Sequence, residues 1–368
     1  MTAAPVDLLY CIDYLPAGGG TENQLAGLID GLDRTRLRPH LCTLKRTLPL
    51  RDLADCPHLG LDVPVINSPR ALTEARRLYR YLRDHDVRIV HSFFQDSTIL
   101  AMPVAALAKV PVRVVSFRDL GFWRTPKTEF LMRRAYRFAT GFLANSQAVK
   151  DVVVERDRIP PAAVAVIPNG IDTAGYRFDD GGPLDPPTVV YVGNLNREVK
   201  RPDLFVEAAG LVATRWPRVR WVCVGDGDRR APLARRAAEL GLAESMQFLG
   251  RRHDIPDLLA GAAIGVNCSD SEGLSNAVLE YMLAGAVVVA TAVGGNREVV
   301  RDRETGLLVA PGDAGALAGA IAELLADPEL AARCRRQARA DVLSRFSWER
   351  CRRDHEAYYS QRLGRRMP

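Results

Sequence analysis

Short apolar stretches alternate with amphipathic ones along this chain, and the alternation runs through twice. In the first pass the strand candidates are 7–12 (DLLYCI), 40–44 (HLCTL), 88–93 (RIVHSF), 112–117 (VRVVSF), 141–146 (GFLANS) and 164–169 (VAVIPN). Between them, 22–32, 72–83 and 126–139 read as helices. Such a series is a run of βαβ units, which fold as a parallel sheet covered by helices. The acidic, Gly- and Pro-rich stretch 179–187 (DDGGPLDPP) lacks periodicity and reads as a linker. The alternation restarts beyond it, at 188–193, 220–225, 246–250, 264–269, 287–293 and 306–311. From 313 to about 363 the pattern is helical, and 346–359 (FSWERCRRDHEAYY) reads as a terminal amphipathic helix. The fold class predicted is α/β: two doubly wound domains, 1–182 and 183–345, followed by a terminal helix in 346–368. Ligands in such sheets sit at the C-terminal ends of the strands, so two facing domains predict a site in the cleft between them.

The 368 residues suffice for two full cores, and with 26% charged and 47% hydrophobic residues the composition excludes a disordered chain. The net charge of +6 is mild, and the basic residues are nearly all Arg. The seven Cys are scattered, without metal-like spacing, and are expected to be reduced thiols of a cytosolic protein. The N-terminus has no basic residue ahead of its apolar stretch and carries Asp7 and Asp13, which argues against a signal peptide. The longest apolar run, 281–293, is too short for a membrane span of about 20 residues.

Chemistry concentrates in 269–291 (SDSEGLSNAVLEYMLAGAVVVAT). A strand ends near Ser269, a loop carries Glu272, Gly273 and Leu274, and a helix starts around Ser275. The amides and dipole of a helix N-terminus favour an anion, typically a phosphate, and Gly273 lets a ligand approach the backbone. Glu280 lies eight positions after Glu272 in an otherwise apolar helical stretch. A carboxylate there needs a partner: a ribose diol, or an Arg on the helix face.

The pair Glu272 and Glu280 resembles the signature of retaining glycosyltransferases of the GT-B fold, in family 4. Further segments agree in order: 17–25 (AGGGTENQL), 144–149 (ANSQAV), 166–172 (VIPNGID), 192–209 (VGNLNREVKRPDLFVEAA), 224–230 (VGDGDRR), 248–252 (FLGRR), 292–300 (AVGGNREVV) and 306–313 (GLLVAPGD). The resemblance implies two Rossmann-like domains, an acceptor-binding one first and a nucleotide-sugar-binding one second, with the terminal helix crossing back to the first. It implies that Glu272 holds donor-sugar hydroxyls, that Glu280 holds the ribose, and that Lys200 neutralises the diphosphate with the amides of Gly273, Leu274 and Ser275. Lys200 is one of only five Lys in the chain. Where the family has an Arg after the glycine matching Gly193, this chain has Asn194, so Arg197 or Arg201 is expected to reach the phosphates.

The resemblance also places Gly19 and Gly20, of the run Gly18–Gly20 before a helix capped near Thr21, beside the diphosphate or sugar; consecutive glycines permit positive φ. Gly225 falls in a nucleotide-side loop. The family's sugar-facing His is replaced by Arg118, which cannot act as a base at neutral pH and is expected to position or polarise. His91 and Asp119 are acceptor-side candidates. Asp226-Gly227-Asp228 imitates a metal-binding DxD motif of a different glycosyltransferase fold; that reading is rejected, and no metal or other cofactor is expected.

The activity expected is retaining transfer of a sugar from a UDP- or GDP-sugar to a glycan or lipid-linked acceptor, in cell-surface polysaccharide or glycolipid synthesis. The alternative is a non-catalytic or epimerase-type nucleotide-sugar-binding protein. A dinucleotide oxidoreductase would need G-x-G-x-x-G after the first strand, and GGGTEN does not match. Residues 109–137 hold a net charge of +6, equal to the whole chain's, through Lys109, Arg113, Arg118, Arg124, Lys127, Arg133, Arg134 and Arg137 against Asp119 and Glu129. Phe117, Phe122, Trp123, Phe130, Leu131, Met132 and Phe138 are interleaved. The patch reads either as an anionic-membrane contact, giving a peripheral cytoplasmic protein, or as a solvated helix with inward aromatics. Outside it the charge balances to zero, which disfavours a nucleic-acid partner.

Overall fold

The computed structural model describes residues 4–15, 19–45, 53, 55–178 and 185–364. Among them the strands form two all-parallel sheets. The first contains β1 (Val6–Ile12), β2 (Leu37–Thr43), β3 (His58–Gly60), β4 (Ile89–Phe93), β5 (Val112–Phe117), β6 (Gly141–Ala144) and β7 (Val164–Val166), in the order β3-β2-β1-β4-β5-β6-β7. The second contains β8 (Thr188–Val192), β9 (Arg220–Val224), β10 (Met246–Gly250), β11 (Ile264–Asn267), β12 (Val287–Thr291) and β13 (Gly306–Val309), in the order β10-β9-β8-β11-β12-β13. Both orders reverse direction once, between β1 and β4 and between β8 and β11. These are the switch points at which open parallel sheets leave a ligand crevice.

The strands are apolar in unbroken runs because both faces are covered. Leu9 and Cys11 of β1 join one core, while Leu8, Tyr10 and Ile12 join the opposite one. Likewise Val287 and Val289 of β12 face one core, and Val288 and Ala290 the other. Helices start at side-chain caps that the sequence supplies: Ser68, Thr125, Ser146, Asp313 and Asp327 each accept a backbone N–H of the first turn.

The chain divides into two compact units, Met1–Gly170 with Trp348–Pro368, and Ile171–Ser347. The division falls at Gly170/Ile171, not at 182/183: Ile171 bridges Ser347 and donates its amide to Phe346 O (2.8 Å), which ties it into the second unit. Of the expected linker, 179–184 lies outside the described residues. The terminal helix, Trp348–Arg362, belongs to the first unit, and Cys351, Tyr358 and Tyr359 enter its core beside Tyr10 and Leu25. Gly27 and Gly31 on the helix Gly20–Gly31 make room for it, since a Cβ there would run into Trp348 and Arg352.

Candidate active site

The second unit gathers its charged candidates at the β8/β11 switch point. Glu272 is buried, with 6% of its surface exposed, in the loop between β11 and the helix Asn276–Ala284. Three donors converge on its Oε1: Lys200 Nζ (2.7 Å), Ser269 Oγ (2.7 Å) and Asn267 Nδ2 (3.1 Å). Burial pushes this carboxyl up, but the Lys200 charge and the three hydrogen bonds outweigh it and hold Glu272 below the usual range. Oε2 has no hydrogen-bond partner among the described residues. Lys200 and Glu272, expected to serve leaving group and sugar separately, are in direct contact; the ammonium retains two further N–H donors.

Behind Oε1 stands a buried amide network. Asn296 donates to Asn267 Oδ1 (3.0 Å) and Thr291 O (3.0 Å), Asn267 donates to Ser275 Oγ (3.1 Å), and Thr291 Oγ1 donates to Ser269 O (2.6 Å). Ser275 caps the helix through Val278 N (3.4 Å). Gly273 and Leu274 are buried in the same loop, and a Cβ at Gly295 would strike the Gly273 carbonyl. Asn267, Ser269, Thr291 and Asn296 are site-building residues that the sequence did not single out.

Glu280 lies on the same helix, half-buried, with no hydrogen bond or ion pair among the described residues. No Arg among the described residues pairs with it. Burial alone pushes its carboxyl up to about 7. The next residue fixes its position: Tyr281 is fully buried, accepts Val192 N (2.6 Å), donates to Val266 O (3.3 Å) and packs its ring on Gly265.

The loop after β8 carries the phosphate candidates. Arg201, in the left-handed region at φ 47°, is taken up by Asp203 (2.9 Å) and Asp270 (3.2 Å). Arg197 is exposed and holds no carboxylate among the described residues. Asn194 is exposed and accepts Asn196 N (2.8 Å). This loop lies on the one after β9, where Leu195 N donates to Asp226 O (3.1 Å). Gly225, at φ 141°, has no room for a Cβ, which would meet the Gly193 carbonyl oxygen. Asp226 accepts Gly227 N (2.9 Å) within its own turn.

In the first unit the outcome is mixed. Gly19 is the N-cap of the helix Gly20–Gly31, which begins ahead of Thr21. Gly19 is extended (φ −87°), so no left-handed conformation demands glycine there, and Gly18 lies outside the described residues. Arg118, directly after β5, donates Nη2 to Asn169 Oδ1 (2.8 Å). His91 is not at an acceptor site. It sits within β4, fully buried, between Tyr359 OH (2.7 Å to Nδ1) and Ser116 Oγ (3.0 Å to Nε2). Burial first, then the His355 and Arg118 charges, push its pKa well below the ordinary histidine value. Asp119 is spent on a turn: it accepts Gly121 N (2.7 Å) and Trp123 Nε1 (2.9 Å). Asp13, after β1, accepts Ser97 N (2.7 Å), and burial pushes it up to about 6.

Two family models match the chain: Glycosyltransferase Family 4 over residues 18–174, and Glycosyl transferases group 1 over 186–327. A D-inositol 3-phosphate glycosyltransferase of Acidothermus cellulolyticus is 31% identical over 91% of this chain and 75% of its own length. This chain belongs to the group 1, family 4 glycosyltransferases. A second relative, the GDP-mannose-dependent alpha-(1-6)-phosphatidylinositol monomannoside mannosyltransferase of Mycolicibacterium smegmatis, is 27% identical over 93% of this chain and 94% of its own. Among solved structures, Anabaena HepE in complex with UDP and glucose superposes with a TM-score of 0.83 at 20% identity, covering 97% of this chain and all of HepE. Sucrose-phosphate synthase of Thermosynechococcus elongatus gives 0.83 at 20%, covering 97% and 99%. The fold is GT-B, and the protein is a transferase.

Proposed function

We propose that this glycosyltransferase moves a sugar, with retention of configuration, from a UDP- or GDP-sugar to a glycan or lipid-linked acceptor in cell-surface polysaccharide or glycolipid synthesis. The observation that carries the reading is Glu280: a half-buried carboxylate without a partner among the described residues, held in place by Tyr281 on the helix that Ser275 caps. A ribose diol supplies the two hydroxyl donors such a carboxylate needs. The diphosphate then meets Lys200, Arg197 and the amides of the capped helix, with Arg201 already neutralised by its own carboxylates. The open Oε2 of Glu272 accepts a hydroxyl of the transferred sugar. In this scheme the leaving phosphate takes the acceptor's proton, attack comes on the same face, and no step is routed through a metal. The similar proteins include a GDP-mannose-dependent enzyme and one solved in complex with UDP, so the donor base is left to the test.

The test is thermal stabilisation by a panel of nucleoside diphosphates and nucleotide sugars, since a ligand of the native state raises Tm by mass action. One nucleotide should stabilise the wild type and lose its effect in Glu280→Ala and Lys200→Ala. A flat response to the whole panel would favour the non-catalytic alternative.

A membrane contact is the finer part of the reading. Phe117, Met132 and Tyr136 are buried, but Phe122, Trp123, Phe130 and Phe138 stay exposed beside the exposed Lys127, Arg133, Arg134 and Arg137. Apolar rings among cations suit an anionic bilayer surface. Flotation with phosphatidylglycerol vesicles, lost in Phe130→Ser with Trp123→Ser, is the expected result; no flotation of the wild type removes the contact.

A further inference from the structure

Arg118 is a half-buried cation without a carboxylate partner among the described residues. It follows β5 at the C-terminal edge of the first sheet, where parallel sheets take ligands. Its Nη2 reaches the neutral amide of Asn169, while its Nε is sealed from solvent with no partner. No carboxylate among the described residues pairs with it. The titratable groups that feel its charge do not compensate it. His91 and His355 are held neutral, first by burial, and burial pushes the Cys351 thiol up to about 11. Arg124 differs in its counter-charge: both oxygens of Asp157 (2.8 and 2.9 Å) and Tyr136 OH (3.0 Å) hold its guanidinium, although its Nε is sealed without a partner as well.

A second orphan lies beside the first. Asn145, directly after β6, donates Nδ2 to Arg118 O (3.3 Å), and its Oδ1 is buried without a donor. The Asn169 loop is clamped in turn, because Gln24 donates to Gly170 O (2.7 Å) and accepts Gly170 N (3.0 Å). A residue with an unpaired cationic donor thus contacts, through its backbone carbonyl, a residue with an unpaired acceptor on a supported edge. Buried polar atoms are rarely left this way, and a ligand accounts for both.

We propose that Arg118 and Asn145 form an anion subsite of the first unit, which takes a carboxylate or phosphate oxygen of a sugar substrate on Arg118 and a neighbouring hydroxyl on Asn145. A neutral hydroxyl would leave the guanidinium uncompensated, whereas an anionic oxygen forms the shorter, charge-assisted bond. The inference rests on the glycosyltransferase reading above for the ligand being a sugar. The anion has two sources, the transferred sugar or the acceptor.

Calorimetry on the full chain separates them. The donor arm compares UDP-glucuronic acid with UDP-glucose, which differ only at the C6 carboxylate, or GDP-mannuronic acid with GDP-mannose if the panel selects GDP. The acceptor arm compares glucuronate and glucose 6-phosphate with glucose, and needs no nucleotide. One arm should show a preference for the anion of about ten-fold or more, the size expected of a hydrogen bond to a charged group. Arg118→Gln should abolish that preference, and Arg118→Lys should keep part of it. The Gln variant should melt no lower than wild type, because it removes a half-buried charge that no carboxylate compensates. Equal binding of anionic and neutral sugars in both arms, or a preference that survives Arg118→Gln, would overturn the proposal. Failure of the wild type to bind any nucleotide would strike the donor-site reading instead, and the acceptor arm would still decide Arg118.

Discussion

The Lys200–Glu272 cluster and the Arg118 edge treat charge withdrawn from solvent in opposite ways. In the second unit the carboxylate is satisfied before any ligand arrives, by one ammonium, one hydroxyl and one amide on a single oxygen. In the first unit the guanidinium has one neutral partner and an idle Nε. A pre-satisfied cluster is preorganised: it orients its remaining oxygen without reorganisation when a substrate binds. An unsatisfied one awaits its partner, and the substrate supplies the counter-charge.

The largest effect should come from Glu272→Ala. It removes the open oxygen and leaves Lys200, Asn267 and Ser269 without their shared acceptor, so transfer should fall about 10²-fold or more. Radiolabelled sugar transfer measures it, and near-normal activity would refute the part given to Oε2. Glu272→Gln sharpens the point. It keeps the shape but opposes an amide to Lys200, and should recover little.

The glycine loops offer the next contrast. Gly225→Ala forces a Cβ onto the Gly193 backbone carbonyl at φ 141°, a conformation foreign to L-residues, and should cost about 2–4 kcal/mol. Gly19→Ala meets only the end of the Glu22 side chain, at an ordinary extended φ of −87°. It should cost under about 1 kcal/mol. Urea melts of the two variants would expose an error if Gly19→Ala proved the worse.

Glu280 gives a pH signature. Its folded pKa of about 7 lies above the ordinary 4.5, so the folded protein keeps a proton that the unfolded chain releases between pH 4.5 and 7. Stability from this residue is therefore lost as pH rises through that window, and the penalty is full above pH 7. Glu280→Gln should melt a few degrees above wild type at pH 8, and level with it at pH 4. Its nucleotide affinity should drop about ten-fold, since the amide is uncharged and offers one acceptor oxygen where the carboxylate offers two. A variant stabilised equally at both pH values would show that desolvation is not the cause.

Burial and spacing decided what was legible in the sequence. Strands covered on both faces wrote themselves as apolar runs, and β5 falls where the pattern put it, at 112–117. The three-residue β3 has no such run and was missed. Glu280 stands out because a carboxylate in an apolar helix is conspicuous, and Glu272 through its spacing from Glu280. Asn267, Ser269 and Asn296 look like any loop polar residue until the fold closes them around Oε1. The conformation of Gly19 was not legible, because a glycine run permits positive φ without requiring it. His91 was misjudged for a different reason: its partner Tyr359 lies 268 positions away, on the terminal helix. No local pattern announces that pairing.

That pairing supplies the smallest effect. Tyr359 OH lies 2.7 Å from His91 Nδ1 and 3.4 Å from Tyr10 OH, all inside the core of the first unit. Tyr359→Phe keeps the ring and removes one hydroxyl, leaving the imidazole nitrogen short of a partner. A cost of about 1–2 kcal/mol follows. Because His91 is a core residue and not an acceptor ligand, the KM for acceptor should stay where it is while Tm falls. Arg118→Gln should do the reverse, holding Tm and moving substrate affinity. If Tyr359→Phe shifted KM as well, the buried histidine would be coupled to the substrate edge through Ser116, and the division between a structural core and a ligand-facing rim in this unit would have to be redrawn.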